Sequence, residues 1–194
     1  MVSKCLFVML IVLGLMIPAQ ANLLVNGDFN TGALSPWWTW APGADQSVAI
    51  DTVYTYDNTP NVKIISGGTG TAVRAGYDLT GLTPGATYTL SLVYSARDAG
   101  GLGGAGININ YRDSDWNYLD YKWWGLYWGA APNPGQWSTF TDTFTMPANA
   151  TIASILLMAD TYAVVNIDNV AVTPEPATML LLGFGWLALR RIRA

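Results

Sequence analysis

Apolar and polar residues alternate through the middle of the chain, which is the pattern of half-buried β-strands. Segment 86–97 is the clearest case, because tyrosines and leucines at its even positions alternate with threonines and serines. Successive side chains of a strand point to opposite faces, so this spacing predicts a strand with one buried face. The other segments that predict strands are 48–54, 62–66, 72–79, 106–112, 137–146, 152–158 and 162–172.

Turn-forming residues separate these segments. Pro84-Gly85 ahead of segment 86–97 is one example, in which proline presets φ and glycine is free to take a positive φ. About nine or ten strands with no helical periodicity between them predict an all-β, two-sheet sandwich over residues 22–173.

The first residues have the pattern of a secretory signal peptide. Lys4 precedes an apolar run from Cys5 to Ile17, and Ala19-Gln20-Ala21 forms a small-residue cleavage site. We expect a signal helix over 1–21, cleavage after Ala21, and Asn22 as the first mature residue.

The last residues predict a single membrane helix. Residues 177–189 are apolar except for Thr178, and three arginines lie within the last five positions. A thirteen-residue helix spans about 20 Å, less than the ~30 Å hydrocarbon core. The arginines nevertheless favour membrane contact, because they can reach the headgroups and would stay cytoplasmic.

The motif ahead of this helix, Pro174-Glu175-Pro176-Ala177-Thr178, closely resembles the PEP-CTERM sorting signal. The resemblance implies recognition of Pro174, Glu175 and Pro176 by an exosortase, transient anchoring in the inner membrane, removal of the helix, and release to the cell surface or exopolysaccharide matrix. We therefore divide the chain into a signal peptide (1–21), one β-domain (22–173) and a sorting tail (174–194).

Composition narrows the chemistry of the β-domain. Residues 22–173 contain twelve aspartates, two lysines and three arginines, a net charge of −7, which disfavours nucleic acid as a partner. They contain no cysteine and no histidine, which excludes disulfides, Cys/His zinc sites and Ser-His-Asp triads. Cations with oxygen ligands, such as calcium, stay compatible with this composition.

Several motifs in this domain resemble carbohydrate-binding modules of the CenC type, families four and nine. The segments that carry the resemblance are the opening 22–29 (NLLVNGDF), 32–37, 79–91, 137–147 and the closing 166–172 (NIDNVAV). The resemblance implies a jelly-roll β-sandwich whose first strand is 22–29, and non-catalytic glycan binding. It also implies a structural calcium with Asp168, Asn30 and Asp28 as candidate ligands. The alternative for Asp168 is a strand-end carboxylate that accepts backbone amides.

Aromatic residues are concentrated between positions 116 and 128. A sugar ring presents an apolar face to indole rings and hydroxyls to carboxylates and amides, so a cluster of both kinds suits a glycan site. Even positions along a strand share a face, so the even-numbered aromatic rings are expected to be exposed together. The odd-numbered Tyr121 and Trp123 could belong to the core. The candidate glycan-binding residues are Trp116, Tyr118, Trp124, Trp128, Asn117 and Asp120.

A second cluster is Trp37-Trp38-Trp40, in which Trp37 fits the core tryptophan of the resembled family. Two functions follow from these patterns: a surface protein that binds glycan through exposed aromatics, or a structural or adhesive matrix protein with no specific sugar site. A third, weaker alternative is a glycosidase that uses Asp113 and Asp120.

Overall fold

The computed structural model describes residues 22–68, 70–97, 103–129 and 133–175. These residues form ten β-strands and contain no helix, which confirms the predicted all-β sandwich. The strands are β1 (Trp38–Trp40), β2 (Ser47–Tyr56), β3 (Thr59–Ile65), β4 (Val73–Leu79), β5 (Thr87–Ala96), β6 (Gly104–Arg112), β7 (Tyr118–Trp128), β8 (Trp137–Thr145), β9 (Ile152–Asp160) and β10 (Val164–Pro174).

Two five-stranded sheets make up the sandwich. Sheet A has the strand order β1-β4-β9-β6-β7, and sheet B has the order β2-β3-β10-β5-β8. The strands β1 and β7 are therefore the edges of sheet A, whereas β9 is its centre.

The core lies between the sheets and follows the alternation in the sequence. In β5 the even-numbered Leu90 and Leu92 are buried, and in β6 the odd-numbered Ile107 and Ile109 are buried. These side chains pack against Ile155 and Leu157 of β9 and against Val165 and Ile167 of β10 in one cluster. The residues between them point outward, so each sheet has one outer face.

The opening segment Asn22–Phe29 is not a strand, contrary to the prediction. Asn26 and Phe29 have positive φ angles of 55° and 50°, which break an extended conformation. The segment is nevertheless bonded to β10, because the Leu23 amide donates to the Val172 carbonyl at 2.8 Å. The Asn22 side-chain oxygen also accepts from the Val172 amide at 2.8 Å.

Residues Asn22–Thr173 form one compact unit. The predicted signal peptide, and the predicted tail beyond Glu175, lie outside the described residues. Within the described part of the chain, no helix is long and apolar enough to span a membrane.

Candidate functional site

The outer face of sheet A carries most of the exposed aromatic side chains. Directly paired residues in antiparallel strands point to the same face, so the strand register identifies the members of a face. One row across the sheet is Trp38, Gly76, Leu156, Asn108 and Trp123. We call this surface the aromatic face, and its members include Trp38, Trp40, Arg74, Gly76, Asp78, Ser154, Leu156, Met158, Asp160, Gly104, Gly106, Asn108, Asn110, Arg112, Tyr118, Tyr121, Trp123 and Trp128.

The aromatic face has tryptophans at both edges. On β1, Trp38 and Trp40 are 38% and 39% exposed. On β7, Trp123 and Trp128 are 43% and 69% exposed. Because β1 and β7 are the two edges of the sheet, the rings border a surface formed by β4, β9 and β6.

Glycines allow three of these rings to lie against the sheet. A Cβ atom on Gly76 would be 2.2 Å from Cζ2 of Trp38, and one on Gly104 would be 2.3 Å from Cε3 of Trp128. A Cβ atom on Gly106 would be 2.3 Å from Cη2 of Trp123. Only glycine leaves room for a ring at these three positions.

The rings also shield the middle of the face. Leu156 and Met158 point outward from β9, yet they are only 3% and 9% exposed although the described residues place no second sheet over them. The neighbouring strands and the aromatic rings therefore enclose an apolar floor between the two edges.

Polar groups lie on the same floor. The Trp38 indole nitrogen donates to Asp78 Oδ2 at 2.9 Å, which fixes both side chains. The Arg74 guanidinium carbon lies 4.9 Å from the centre of the Trp40 ring, a cation–π contact. Arg74 Nε and Asn108 Oδ1 are buried and have no hydrogen-bond partner among the described residues.

Residues 21–161 match the sequence profile of a family described as a carbohydrate binding domain, CBM_4_9. The chain belongs to this carbohydrate-binding family. The implied relationship to family four and nine modules is thereby shown, and the two-sheet sandwich is the one found in carbohydrate-binding modules of known structure. No curated protein sequence matches the chain significantly.

Solved structures similar to this carbohydrate-binding domain share its fold at low sequence identity. The xylan-binding CBM22-1 domain of Xyn10C from Paenibacillus barcinonensis is 13% identical with a TM-score of 0.58, covering 80% of this chain and 96% of that one. TmCBM61 in complex with β-1,4-galactotriose is 13% identical with a TM-score of 0.53, covering 80% and 99%. The enzymatically active domain of tailspike protein 4 from bacteriophage CBA120 is 17% identical with a TM-score of 0.65, covering 79% of this chain, which matches only 21% of the tailspike's length.

Strand β7 does not keep one parity, so the expectation that even-numbered rings share a face is wrong. The pairing with β6 shifts between Tyr111 and Arg112, and it shifts again between Ala105 and Gly106. Each shift adds one residue to β7 and exchanges its two faces. Tyr118 and Trp128 therefore point to the outer side of sheet A together with the odd-numbered Tyr121 and Trp123.

Between the two shifts, the predicted Trp124 and Asp120 point to the other side of sheet A. Trp124 is half-buried, and its ring packs edge-on against Phe140 of sheet B at 5.7 Å between ring centroids. Its indole nitrogen is bonded to Asp142 Oδ2 at 2.6 Å, and Lys122 Nζ lies 4.7 Å from the ring centre. Trp124 therefore joins the edges of the two sheets and is not part of the aromatic face.

Asp120 pairs with the buried Tyr111 across β6 and β7. Burial, with a smaller contribution from the Asp120 charge, raises the pKa of Tyr111 to about 12. Asp120 Oδ1 accepts a bond from the Tyr121 amide at 2.8 Å.

The predicted Trp116 and Asn117 lie in the turn that joins β6 to β7. The carboxylate of Asp113 organises this turn, since it accepts the side-chain amide of Asn117 and the backbone amides of Asp115 and Asn117, each at 2.9 Å. The bond from the Asn117 side chain is the main cause of a lowered pKa for Asp113. A glycosidase general acid needs a raised pKa, so Asp113 is unsuited to that role. Trp116 is exposed at the tip, with a φ of 67°.

The candidate calcium ligands lie at the sheet B side of the domain. Asp168 is fully buried, and its Oδ1 accepts the Asn169 amide at 2.7 Å, as the backbone-capped alternative expects. Its Oδ2 lies 3.3 Å from the Thr59 hydroxyl, which is closer to the Tyr56 carbonyl at 2.9 Å. Burial raises the pKa of Asp168 to about 6, and nearby negative charges on Asp28 and Asp57 add to the rise.

Asp28 and Asn30 are bonded to each other, because the Asn30 side-chain amide donates to Asp28 Oδ2 at 3.0 Å. The described residues contain no group of three acidic, histidine or cysteine side chains that could hold a metal ion. A buried carboxylate with a raised pKa suits a hard cation chemically, but backbone or amide oxygens would have to complete its coordination.

A separate cleft of about 440 Å³ lies beside these residues. No aromatic side chain lines it, so it offers no stacking surface. Its lining residues are Asn22, Leu24, Asn26, Gly27, Asp28, Asn169, Val170 and Ala171.

Sequence patterns alone did not select Tyr121, Trp123, Arg74 and Asn108. Trp38 and Trp40 were recognisable as a second cluster, and Trp37 is buried as expected, packed 5.5 Å from Phe29 and 5.2 Å from Tyr77 between ring centroids. The sequence signal for the site was the presence of two tryptophan clusters. The fold shows that they lie at opposite edges of one face.

Proposed function

We propose that this protein is a non-catalytic glycan-binding protein whose binding surface is the aromatic face. The observation that carries the proposal is the placement of tryptophans at both edges of one sheet. Trp38 and Trp40 border one side of the floor, and Trp123 and Trp128 border the other.

The chemistry of the face suits a sugar. Indole rings lying against the sheet offer their open faces to the C–H surface of a pyranose. Between the edges, Arg74 and Asp78 offer a donor and an acceptor for hydroxyls. An open face with two bordered edges favours a stretch of polymer over a single small sugar.

The ligands of two similar structures support polysaccharide as the ligand class. One binds xylan, and another was solved with β-1,4-galactotriose. Both structures are only 13% identical to this chain, so the polymer that it binds depends on the side chains of its own aromatic face.

The purified protein, tested on a polysaccharide panel by affinity electrophoresis, provides the direct test. We expect retardation by at least one polymer and no release of reducing ends from it. If no polymer retards the protein, the structural or adhesive matrix role replaces the proposal. If reducing ends accumulate, the protein is an enzyme.

We further propose export and sorting as the sequence indicates: cleavage after Ala21, recognition of Pro174-Glu175-Pro176 by an exosortase, and release to the cell surface or matrix. The bonds from Asn22 and Leu23 to Val172 support this division, since cuts after Ala21 and beyond Thr173 leave them intact. Mass spectrometry of protein released from an exosortase-containing host should find Asn22 at the start and no peptide from 177–194. Recovery of Arg190–Ala194 in released protein would contradict processing.

A structural calcium is the third part of the proposal. Asp168 would be its main ligand, with Asp28 or Asn30 contributing oxygens, and the ion would neutralise a carboxylate that burial disfavours. The expected role is stability, because a ligand that binds only the folded state raises its free energy of unfolding.

A further inference from the structure

The aromatic face contains a cationic side chain with no anionic partner. Arg74 extends from β4 beside Trp40, and the ion pair found among the described residues is Lys63–Asp51 on sheet B, at 4.0 Å. No carboxylate oxygen of a described residue therefore lies within 4.0 Å of the Arg74 guanidinium. Its Nε is shielded from solvent and has no acceptor.

The two carboxylates of the same face are engaged elsewhere. Asp78 accepts the Trp38 indole, and four residues of strand place its Cα about 13 Å from that of Arg74. Asp160 Oδ1 accepts the amide and the hydroxyl of Thr161 at 2.8 and 3.1 Å. The acidic side chains of the face therefore leave the charge of Arg74 unpaired.

A half-buried guanidinium that carries an unpaired charge and an unsatisfied donor is costly, and an anionic ligand would offset the unpaired charge. Guanidinium groups bind carboxylates through two parallel hydrogen bonds, and stacking on an aromatic ring holds the fork in place. Trp40 supplies that ring here, at 4.9 Å.

We propose that the ligand of the aromatic face is an acidic polysaccharide, with a uronic-acid carboxylate bound by Arg74. This inference rests on the proposed glycan-binding function and narrows its ligand class. The overall charge of the domain does not assist this binding: residues 22–173 carry a net charge of −7, which repels a polyanion. Attraction must come from local contact, within the ~8 Å screening length at physiological salt.

The test compares a uronate polymer with its own neutral form. The purified full chain is titrated with polygalacturonate, with carboxyl-reduced polygalacturonate, with alginate and with dextran sulfate, at physiological salt. We expect at least one uronate polymer to bind about tenfold more tightly than the carboxyl-reduced polymer, as one charge-assisted contact implies. Dextran sulfate should bind no better than the carboxyl-reduced polymer.

Two variants connect the preference to Arg74. Arg74→Gln should remove the preference, so that the uronate polymer binds no more tightly than the carboxyl-reduced polymer. Arg97→Gln is the matched control, because Arg97 also stacks on an aromatic ring, at 4.2 Å from the centre of Tyr54, but on the other sheet. It changes the net charge equally and should keep the preference.

Each other outcome contradicts the role of Arg74, the recognition of a carboxylate or the proposed function itself. Equal binding of uronate and carboxyl-reduced polymers by the wild type, or equal losses in both variants, rejects the role of Arg74. Binding of dextran sulfate as tight as that of the uronate polymer rejects carboxylate recognition. Binding to neutral polymers alone rejects this inference but keeps the proposed function, whereas failure to bind any polysaccharide, here and in the panel, rejects both.

Discussion

The outer faces of the two sheets both point away from the core, but they differ in composition. On sheet B, the outer positions of β5 and β8 are mostly threonine and serine, and Thr87 and Thr145 bond across the strands at 3.0 Å between hydroxyl oxygens. On sheet A, the corresponding face has tryptophans at both edges and glycines beneath three of the rings. Both sheets contribute side chains to the buried core.

Threonine is the ordinary choice for a solvated strand, because it has high β-propensity and a hydroxyl for water. Exposed tryptophans do not follow from the needs of folding, and contiguous exposed apolar surface usually marks a binding site. The contrast with sheet B therefore supports the proposal that the aromatic face binds a partner.

The largest expected effect separates two adjacent residues of β7. Trp124→Ala should lower the free energy of unfolding by about 2–3 kcal/mol, below the range for a fully buried tryptophan, because it removes contact with Phe140 and a bond to Asp142. Trp123→Ala should cost less than about 1 kcal/mol, since its ring lies on the outer face. Urea unfolding of both variants measures the difference.

The two variants should rank in the opposite order when their loss of polysaccharide affinity is compared. Trp123→Ala should lose polysaccharide affinity, and Trp124→Ala, where still folded, should retain it. If Trp123→Ala is the less stable variant, the assignment of the two faces of β7 is wrong.

Calcium should raise the stability of the domain through ligands on the sheet B side, without acting on the aromatic face of sheet A. At calcium concentrations ten times the dissociation constant, the free energy of unfolding should rise by about 1.4 kcal/mol relative to chelator. Asp168→Asn should abolish this response, and in chelator it should be at least as stable as the wild type, because a neutral amide replaces a buried carboxylate whose pKa is raised to about 6. The new amide could donate to the Thr59 hydroxyl oxygen.

Thermal melts in calcium and in chelator test this directly. Glycan affinity should not change with calcium, since the ligands lie on the sheet B side. Identical melting midpoints of the wild type in calcium and in chelator would contradict a structural calcium.

Removing the Trp38 ring from the β1 edge tests whether both edges of the aromatic face contribute to polysaccharide binding. Trp38→Ala should weaken binding of the polysaccharide that retards the wild type most strongly by about tenfold, as expected for a tryptophan that contacts the ligand. Thr141→Ala on the outer face of sheet B is the control and should bind normally. Unchanged affinity of Trp38→Ala in affinity electrophoresis would confine the site to β7.

Much of the fold followed from the sequence because alternation is a local signal. Eight predicted segments correspond to strands β2–β6 and β8–β10, with their buried faces as expected for Leu90, Ile107 and Phe144. The site did not follow, because its residues come from five strands that are far apart in the chain. Trp38 and Trp123 meet the same floor only through the order β1-β4-β9-β6-β7.

Within β7, the sequence was misleading for a definite physical reason. Two register shifts exchange the faces of the strand: the second follows Gly125, whereas the first, at Leu119, has no glycine or proline beside it. Parity therefore grouped Trp124 with Trp128, whereas the pairing with β6 separates them. The opening segment was mispredicted because the positive φ angles of Asn26 and Phe29 cannot be read from its apolar residues.

The smallest expected effect concerns the glycines beneath the rings. Gly76→Ala would place a methyl group 2.2–2.5 Å from three ring atoms of Trp38, and all three belong to a side chain on an edge strand that can swing away. The ring would leave the floor and release its bond to Asp78, so affinity should fall about threefold, less than in Trp38→Ala. Stability should change by less than about 1 kcal/mol, because alanine also reduces the entropy of the unfolded chain. Gly125→Ala is the matched control: Gly125 pairs with Gly106 in the same sheet, and nothing lies within 4 Å of a Cβ atom placed on it. Affinity electrophoresis and urea unfolding of the two variants make the comparison, and equal affinities would mean that the position of the Trp38 ring over Gly76 does not contribute to binding.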